Sequence, residues 1–464
     1  MTECTQTGFD FAPHFRRKVV ADFHGGVVTS DGGSLLLRET ERRINLLPRL
    51  AACFRDYRDQ NRIEHTVESM IGQRIYALAL GYEDLNDHDE LRSDPLLAVL
   101  AGKQDSSGEE RKRGRDKGKS LAGKSTLNRL ESATKDDPSR DRYKKISYDS
   151  EVIDALLVNL FLESFTKAPE EIVLDLDATD SPLYGRQEDR FFHGYYKHYC
   201  YLPLYIFAGE HLLCARLRPS NIDAAAGSLE EVERIVKQIR IRWPRVRIIL
   251  RADSGFCRDN LMSWCEGNEV DYVFGFARND RLQKRLEPQM EEAAAEHAKT
   301  NKPARVFTEF PYRTRDSWSA ERRVVAKAEQ LEGKKNPRFV VTSLPSEQWP
   351  ARKLYEEFYC VRGDMENRIK EQLSLFSERM STATMRANQL RLYLSSMAYV
   401  LVQSLRRLGL KGTEMARAQV NTIRLRLLKI GAEVRISVRR VLLSMTSAYP
   451  HQALFQTVWS NLRC

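Results

Sequence analysis

Two apolar segments that each run into an aspartate constrain this chain more than any other feature. Residues 171–179 read EIVLDLDAT and residues 245–255 read RVRIILRADSG. β-Branched and aliphatic residues favour strands and aspartate does not, so an acid there needs a reason. In open α/β sheets, sites form at the carboxyl ends of strands. Between the two segments, YLPLYIFAG and HLLCARLRP read as a hairpin. SLEEVERIVKQIRIRW then sets Leu229, Val232, Ile235, Val236 and Ile239 on one helical face. NLMSWCEGN predicts a short helix and VDYVFGFAR another strand. The order β-β-β-α-β-α-β is a mixed α/β core that begins as a meander.

Composition excludes the main alternatives. The chain has 464 residues, 42% hydrophobic and 30% charged, the balance of a globular protein of two to four domains. With 24 Gly, 16 Pro and 8 Cys, it is neither collagen-like nor a disulfide scaffold. The longest near-apolar run, residues 392–402, is well short of the roughly 20 residues a membrane helix needs. The N-terminus lacks the basic start and apolar stretch of a signal peptide. The cysteines show no C-x-x-C pair and no zinc spacing, so reduced thiols in a cytoplasmic protein are expected. The formal charge is +10, and residues 384–464 alone carry 13 Lys/Arg against 2 Glu. There Arg alternates with Leu, Val and Ile, which predicts an outward basic stripe, the footprint of a polyanion such as nucleic acid.

Pattern changes predict the layout. Residues 1–102 read as a mostly helical domain, and 103–150 as a charged linker, partly disordered when free. Residues 151–280 hold the first part of the α/β core, and 281–350 a β-rich insertion. Residues 351–380 carry a helix with Glu366, and 381–464 form a basic helical region. Gly118–Ser125 matches the G-x-x-x-x-G-K-[ST] phosphate loop by letter. The preceding RKRGRDK cannot be the buried strand that such a loop requires, so nucleotide hydrolysis is rejected. Contact with DNA phosphates is the alternative for this segment.

Three acids remain. Asp175 and Asp177 point to the same face of their strand, which could equally be a strand end facing water. Asp253 precedes a Gly turn, where it could reach a substrate or cap a helix. Glu366 shares a helical face with Tyr359, Arg362, Lys370 and Leu373, although Glu366 and Lys370 could be only a surface pair. Together, two strand aspartates and a helical glutamate can hold two Mg²⁺ ions for in-line phosphoryl displacement.

With LDLDAT, LRADSGF and YCVRGDMENRIKE in place, the chain resembles the DDE transposases of bacterial insertion sequences, in the branch with a Tyr-Arg-Glu-Lys third motif. The likeness covers roughly residues 171–376. It implies a ribonuclease-H-like catalytic core interrupted by a β-rich insertion, with helical N- and C-terminal regions. It assigns Asp177, Asp253 and Glu366 as catalytic metal ligands for two Mg²⁺, with Mn²⁺ able to substitute. Asp177 fits the family's Asp-x-Thr pattern, and Asp175 stays as an alternative. Tyr359, Arg362 and Lys370 become DNA-contacting residues. The family's Lys often falls seven residues after the Glu, where this chain has Leu373. Relatives can carry a base-stacking aromatic in the insertion, and Trp318 is the candidate here. The implied partners are double-stranded DNA (terminal inverted repeats and target) and a second copy in a synaptic homodimer, with no membrane. The implied reaction is cleavage at the element ends and joining of the 3′-hydroxyls to target DNA. A nuclease of the same fold without strand transfer, and a non-enzymatic DNA-binding descendant, are the rival readings.

Overall fold

The computed structural model describes residues 8–132 and 141–463. They fall into two compact units, one of Met1–Ala51, Arg58–Leu130 and Leu401–Cys464, the other of Ala52–Tyr57 and Glu131–Val400. The two ends of the chain, read from the sequence as separate regions, therefore contribute to one unit.

The second unit is built on a nine-stranded mixed sheet. In chain order its strands are β1 (Glu171–Ala178), β2 (Leu204–Ala208), β3 (His211–Arg216), β4 (Arg247–Ala252), β5 (Asp271–Phe276), β6 (Ala304–Tyr312), β7 (Arg322–Leu331), β8 (Lys334–Lys335) and β9 (Arg338–Thr342). The spatial order is β3-β2-β1-β4-β5-β9-β7-β6, with β8 on β7. β1 to β3 form the expected antiparallel meander, and β4 and β5 continue it as parallel strands. This is a ribonuclease-H-like core. The expected insertion begins with two helices, Asp280–Arg285 and Glu287–Thr300. Its strands then extend the same sheet in antiparallel fashion through β9.

Strand periodicity separates the two faces. Leu174 and Leu176 of β1 and Ile248 and Leu250 of β4 face one way. They pack against α1 (Ser150–Glu163), α2 (Ser228–Arg242) and α3 (Asp259–Gly267) through Val158, Phe161, Val232, Ile235, Ile239, Leu261 and Met262. Each such aliphatic side chain stabilises the fold by about 1.5–3 kcal/mol relative to exposure. Ile249, Val273, Val325 and Val340 face the other way and pack on Leu354, Tyr355 and Phe358. The segment leading to Glu366 thus covers the face opposite α1–α3. Between β1 and β2 the chain adds a small three-stranded sheet of Ser181–Pro182, Phe191–His193 and His198–Tyr201, which the sequence reading left without an element.

In the first unit the helix Val67–Leu80 is buried almost throughout. Thr66 caps its start by accepting from the Ser69 N–H at 3.1 Å. Gly81 ends it at φ +94°, a left-handed geometry that glycine adopts without strain. Arg424 donates to the Ala79 carbonyl at 2.9 Å. The stretch VRISVRRVLL, read as part of a helical region, forms the hairpin Ala432–Ser437/Arg440–Met445 beside Val28–Thr29. Its Arg/apolar alternation has period two, the strand period, and that signal outweighs the helical context. Of the expected linker, residues up to 132 contain the helix Lys124–Glu131 and the buried Leu121, Ala122, Leu127 and Leu130. Gln73 donates to the Ala122 carbonyl at 2.8 Å and accepts from its N–H at 3.0 Å. Residues 133–140 lie outside the described residues. No described helix is long and apolar enough to cross a membrane.

Candidate active site

The β1–β4 ladder pairs Arg251 with Asp175 and Ala252 with Leu176. Asp177 and Asp253 follow one step beyond that last rung, at the carboxyl ends of adjacent parallel strands. Asp253 also caps the turn Ser254–Phe256, its Oδ1 accepting from the Gly255 N–H at 2.8 Å. The cap and the strand-end position coexist because one oxygen makes the cap.

The third segment is not one uniform helix. It runs as a π-helical turn (Leu354–Tyr359), a 3₁₀ turn (Cys360–Arg362) and then α4 (Gly363–Leu373). Such irregular turns are frequent at functional sites because they re-aim side chains. Arg362 reaches Asp177 Oδ2 at 3.5 Å and Glu366 Oε1 at 3.7 Å. The Tyr359 hydroxyl lies against Gly275 of β5, where an added Cβ would collide with it. That Cβ would also stand 3.0 Å from the Ser254 nitrogen. Gly275 therefore has to be glycine for Tyr359 to lie beside the Asp253 turn.

Electrostatics tie the group together. Burial, and then the charges of Asp253 and Glu366, push the Asp177 carboxyl up to about 6 against the pull of Arg362. Burial works against the charge of Arg362, yet Asp177, Tyr359, Asp253 and Glu366 outweigh it and hold its pKa above the ordinary value. One guanidinium thus sits among three carboxylates. Next to it, a cavity of about 460 Å³ is lined by Ser254, Tyr359, Arg278, Lys334, Lys335 and Arg338. The sequence reading missed these four cations. For Lys334, Lys335 and Arg338 the only signal was the KKNPR cluster in the insertion.

Residues 11–464 match the family described as transposase DDE domain group 1. The chain belongs to the DDE transposase family. No curated protein matches it. Among solved structures, a piggyBac transposase synaptic complex with hairpin DNA is similar at a TM-score of 0.40 and 10% identity, covering 94% of this chain and 81% of that one.

The other expected site residues have varied settings. Asp175 is buried and bound by Arg251, Nε at 2.6 Å and Nη2 at 2.8 Å, so both its oxygens are engaged. Lys370 is exposed on α4, one turn beyond Glu366. Trp318 is only 4% exposed. It packs on Phe276 and Tyr312 with the Arg322 guanidinium over its ring, which is the setting of a core side chain and presents no face to a base. The segments joining the strands of the small sheet after Asp177 do expose aromatics, with Tyr184 94% and Tyr195 82% exposed. Within that sheet Asp180 holds His198 at 2.7 Å, and Tyr196 is pushed up to about 12 by burial and by Asp180 and Asp177.

Among the described residues, no group of three His, Cys, Asp or Glu side chains stands close enough together to hold a metal ion. Arg362 stands between two of the three acids. Their chemistry nonetheless fits a hard divalent cation: every donor is a carboxylate oxygen, and a cation would offset both the burial that chiefly raises Asp177 and the repulsion that adds to it.

Proposed function

We propose that this protein is an active transposase of the Tyr-Arg-Glu-Lys branch, one that cuts DNA at the ends of its element and joins the 3′-hydroxyls to target DNA. The observation that carries the reading is the Arg362 guanidinium 3.5 Å from Asp177 and 3.7 Å from Glu366, with Asp253 at the carboxyl end of the strand beside that of Asp177. Asp177, Asp253 and Glu366 would hold the divalent cations, Mg²⁺ or Mn²⁺. Bound there, two such ions activate the attacking oxygen and stabilise the leaving oxygen of an in-line displacement.

The chain's own residues supply the rest. Arg362 offers a charged fork matched to a phosphate. Tyr359, wedged at Gly275, orients the scissile strand beside Asp253. Lys370, Lys334, Lys335 and Arg338 contact flanking phosphates, with Arg278 at the cavity wall. The first unit and its basic hairpin recognise the inverted repeats, and pairing two ends requires a second copy.

The test supplies pre-cut element ends, a plasmid target and Mg²⁺. Wild type yields joined products, whereas Asp253→Asn binds the ends and yields none. Nicked but never joined DNA would assign a nuclease instead. Joining by Asp253→Asn would remove that residue from the chemistry.

A further inference from the structure

The phosphate-loop look-alike is part of a cavity of about 450 Å³ in the first unit. It lacks what a nucleotide loop needs. A 3₁₀ turn, Gly114–Asp116, stands where a buried strand should feed it. The first turn of Lys124–Glu131 is already taken, the Asp89 carboxylate accepting from the Lys124 N–H at 3.1 Å. What the cavity has instead is cationic side chains. Arg92, Arg111, Arg113, Arg115, Lys119 and Arg129 line it against Glu64, Asp89 and Asp116. Two of the acids are spent on the walls. Asp116 serves Arg92 at 3.1 Å, Arg111 at 3.8 Å and Arg115 at 3.9 Å. Asp89 pairs with Lys124 at 3.1 Å.

The walls are also rigidly held. His65, 6% exposed, meets Arg111 Nη1 through Nε2 at 2.7 Å. An arginine only donates, so Nε2 accepts and the ring is neutral. Burial, together with Lys103, Arg111, Arg92 and Arg58, pushes the His65 pKa down to about 3. Burial does most to keep this histidine neutral, and the surrounding cations add to it. The Glu64 carboxylate, 3.3 Å from Arg111, braces the guanidinium from a second side.

We propose that this cavity is a phosphate-binding site, gripped by Arg113, Arg115 and Lys119 around a fixed Arg111, and that its physiological occupant is a DNA backbone phosphate. The occupant's identity rests on the transposase reading. The site itself does not, because it lies on residues outside the catalytic cluster.

The test uses the full-length protein in EDTA with a fluorescein-labelled 24-base-pair duplex of arbitrary sequence, titrated by anisotropy at several salt concentrations. Each phosphate contact contributes about 0.9 to the slope of log K against log salt. Arg113→Ala with Lys119→Ala should therefore lower the slope by about 2, with affinity at low salt falling about tenfold or more. Arg62→Ala, at a side chain 87% exposed, is the control for a lost charge outside the cavity and should change affinity less than about twofold. Thermal unfolding checks that the variants fold. If duplex binding is unaffected but millimolar ATP or inorganic phosphate stabilises wild type and not the double variant, the site takes a free phosphate compound. Unchanged slope and affinity with no response to either anion would overturn the proposal. Metal-free binding is read separately from cleavage, so failure here and failure of Asp253→Asn to lose activity are different results.

Discussion

Arg251 and Asp175 face each other across β4 and β1, two residues before Asp253 and Asp177, and join in a buried bidentate pair at 2.6 and 2.8 Å. The same guanidinium donates through Nη1 to the Phe358 carbonyl at 2.7 Å and lies over the Phe358 ring. One side chain thus fastens both acid-bearing strands to the turn that presents Tyr359 and Arg362. This pair positions the site.

Removing one partner strands the other as a buried charge. Arg251→Met should cost about 3–5 kcal/mol in urea unfolding. Arg251→Met with Asp175→Leu should recover most of that stability, since apolar replacement of a buried pair is often neutral. Cleavage should stay low in the double variant, because the Phe358 carbonyl still lacks its donor. Full activity there would show that the pair only stabilises.

Gly275 and Tyr359 should behave as a coupled pair. Gly275→Ala forces a methyl onto the Tyr359 hydroxyl and close to the Ser254 nitrogen. Strand cleavage should drop by about tenfold or more, on the scale of losses from misplaced reacting groups. Adding Tyr359→Phe removes the nearest clash, so the double variant should fold better than Gly275→Ala alone by calorimetry. Strict additivity of the two changes would deny the contact.

Asp177 gives a pH-dependent signature in metal-free buffer. Its folded pKa of about 6 lies above the ordinary aspartate range. The folded state therefore binds the extra proton, and the stability it lends is full below about pH 4 and lost as pH rises through 6. At pH 8 the wild type carries an unfavourable charge that Asp177→Asn lacks, worth up to about 2–3 kcal/mol. Asp177→Asn should melt a few degrees higher than wild type at pH 8 and lose that advantage by pH 4. A lower melting temperature at pH 8 would contradict the burial and acid repulsion that raise this carboxyl.

Trp318 should report on folding alone. Trp318→Ala opens a cavity beside Phe276 and Tyr312 and should cost about 3–5 kcal/mol. Trp318→Phe should retain cleavage within about twofold. A loss of cleavage in a stable Trp318→Phe would return this residue to a DNA contact.

The acids and the core were legible because their signals are local. An apolar run ending in aspartate declares its strand and its end, and Val232, Ile235 and Ile239 declare a helix face. From these alone came the meander, the crossover helices and the positions of Asp177 and Asp253. The hairpin 432–445 was misread where two periods competed over a short stretch. The burial of Trp318 was not legible, because flanking arginines look the same whether they surround an exposed ring or cover a buried one.

Local pattern determined which residues end the strands of this protein, since alternation and propensity act between near neighbours. Tertiary structure decided which aspartate is spent on an arginine, that Arg362 stands between Asp177 and Glu366, and that Lys334, Lys335 and Arg338 border Tyr359. The pairs Asp175–Arg251 and Asp177–Arg362 join residues 76 and 185 apart in the sequence, and no periodicity extends that far. They follow only when strand register and helix packing fix which side chains meet.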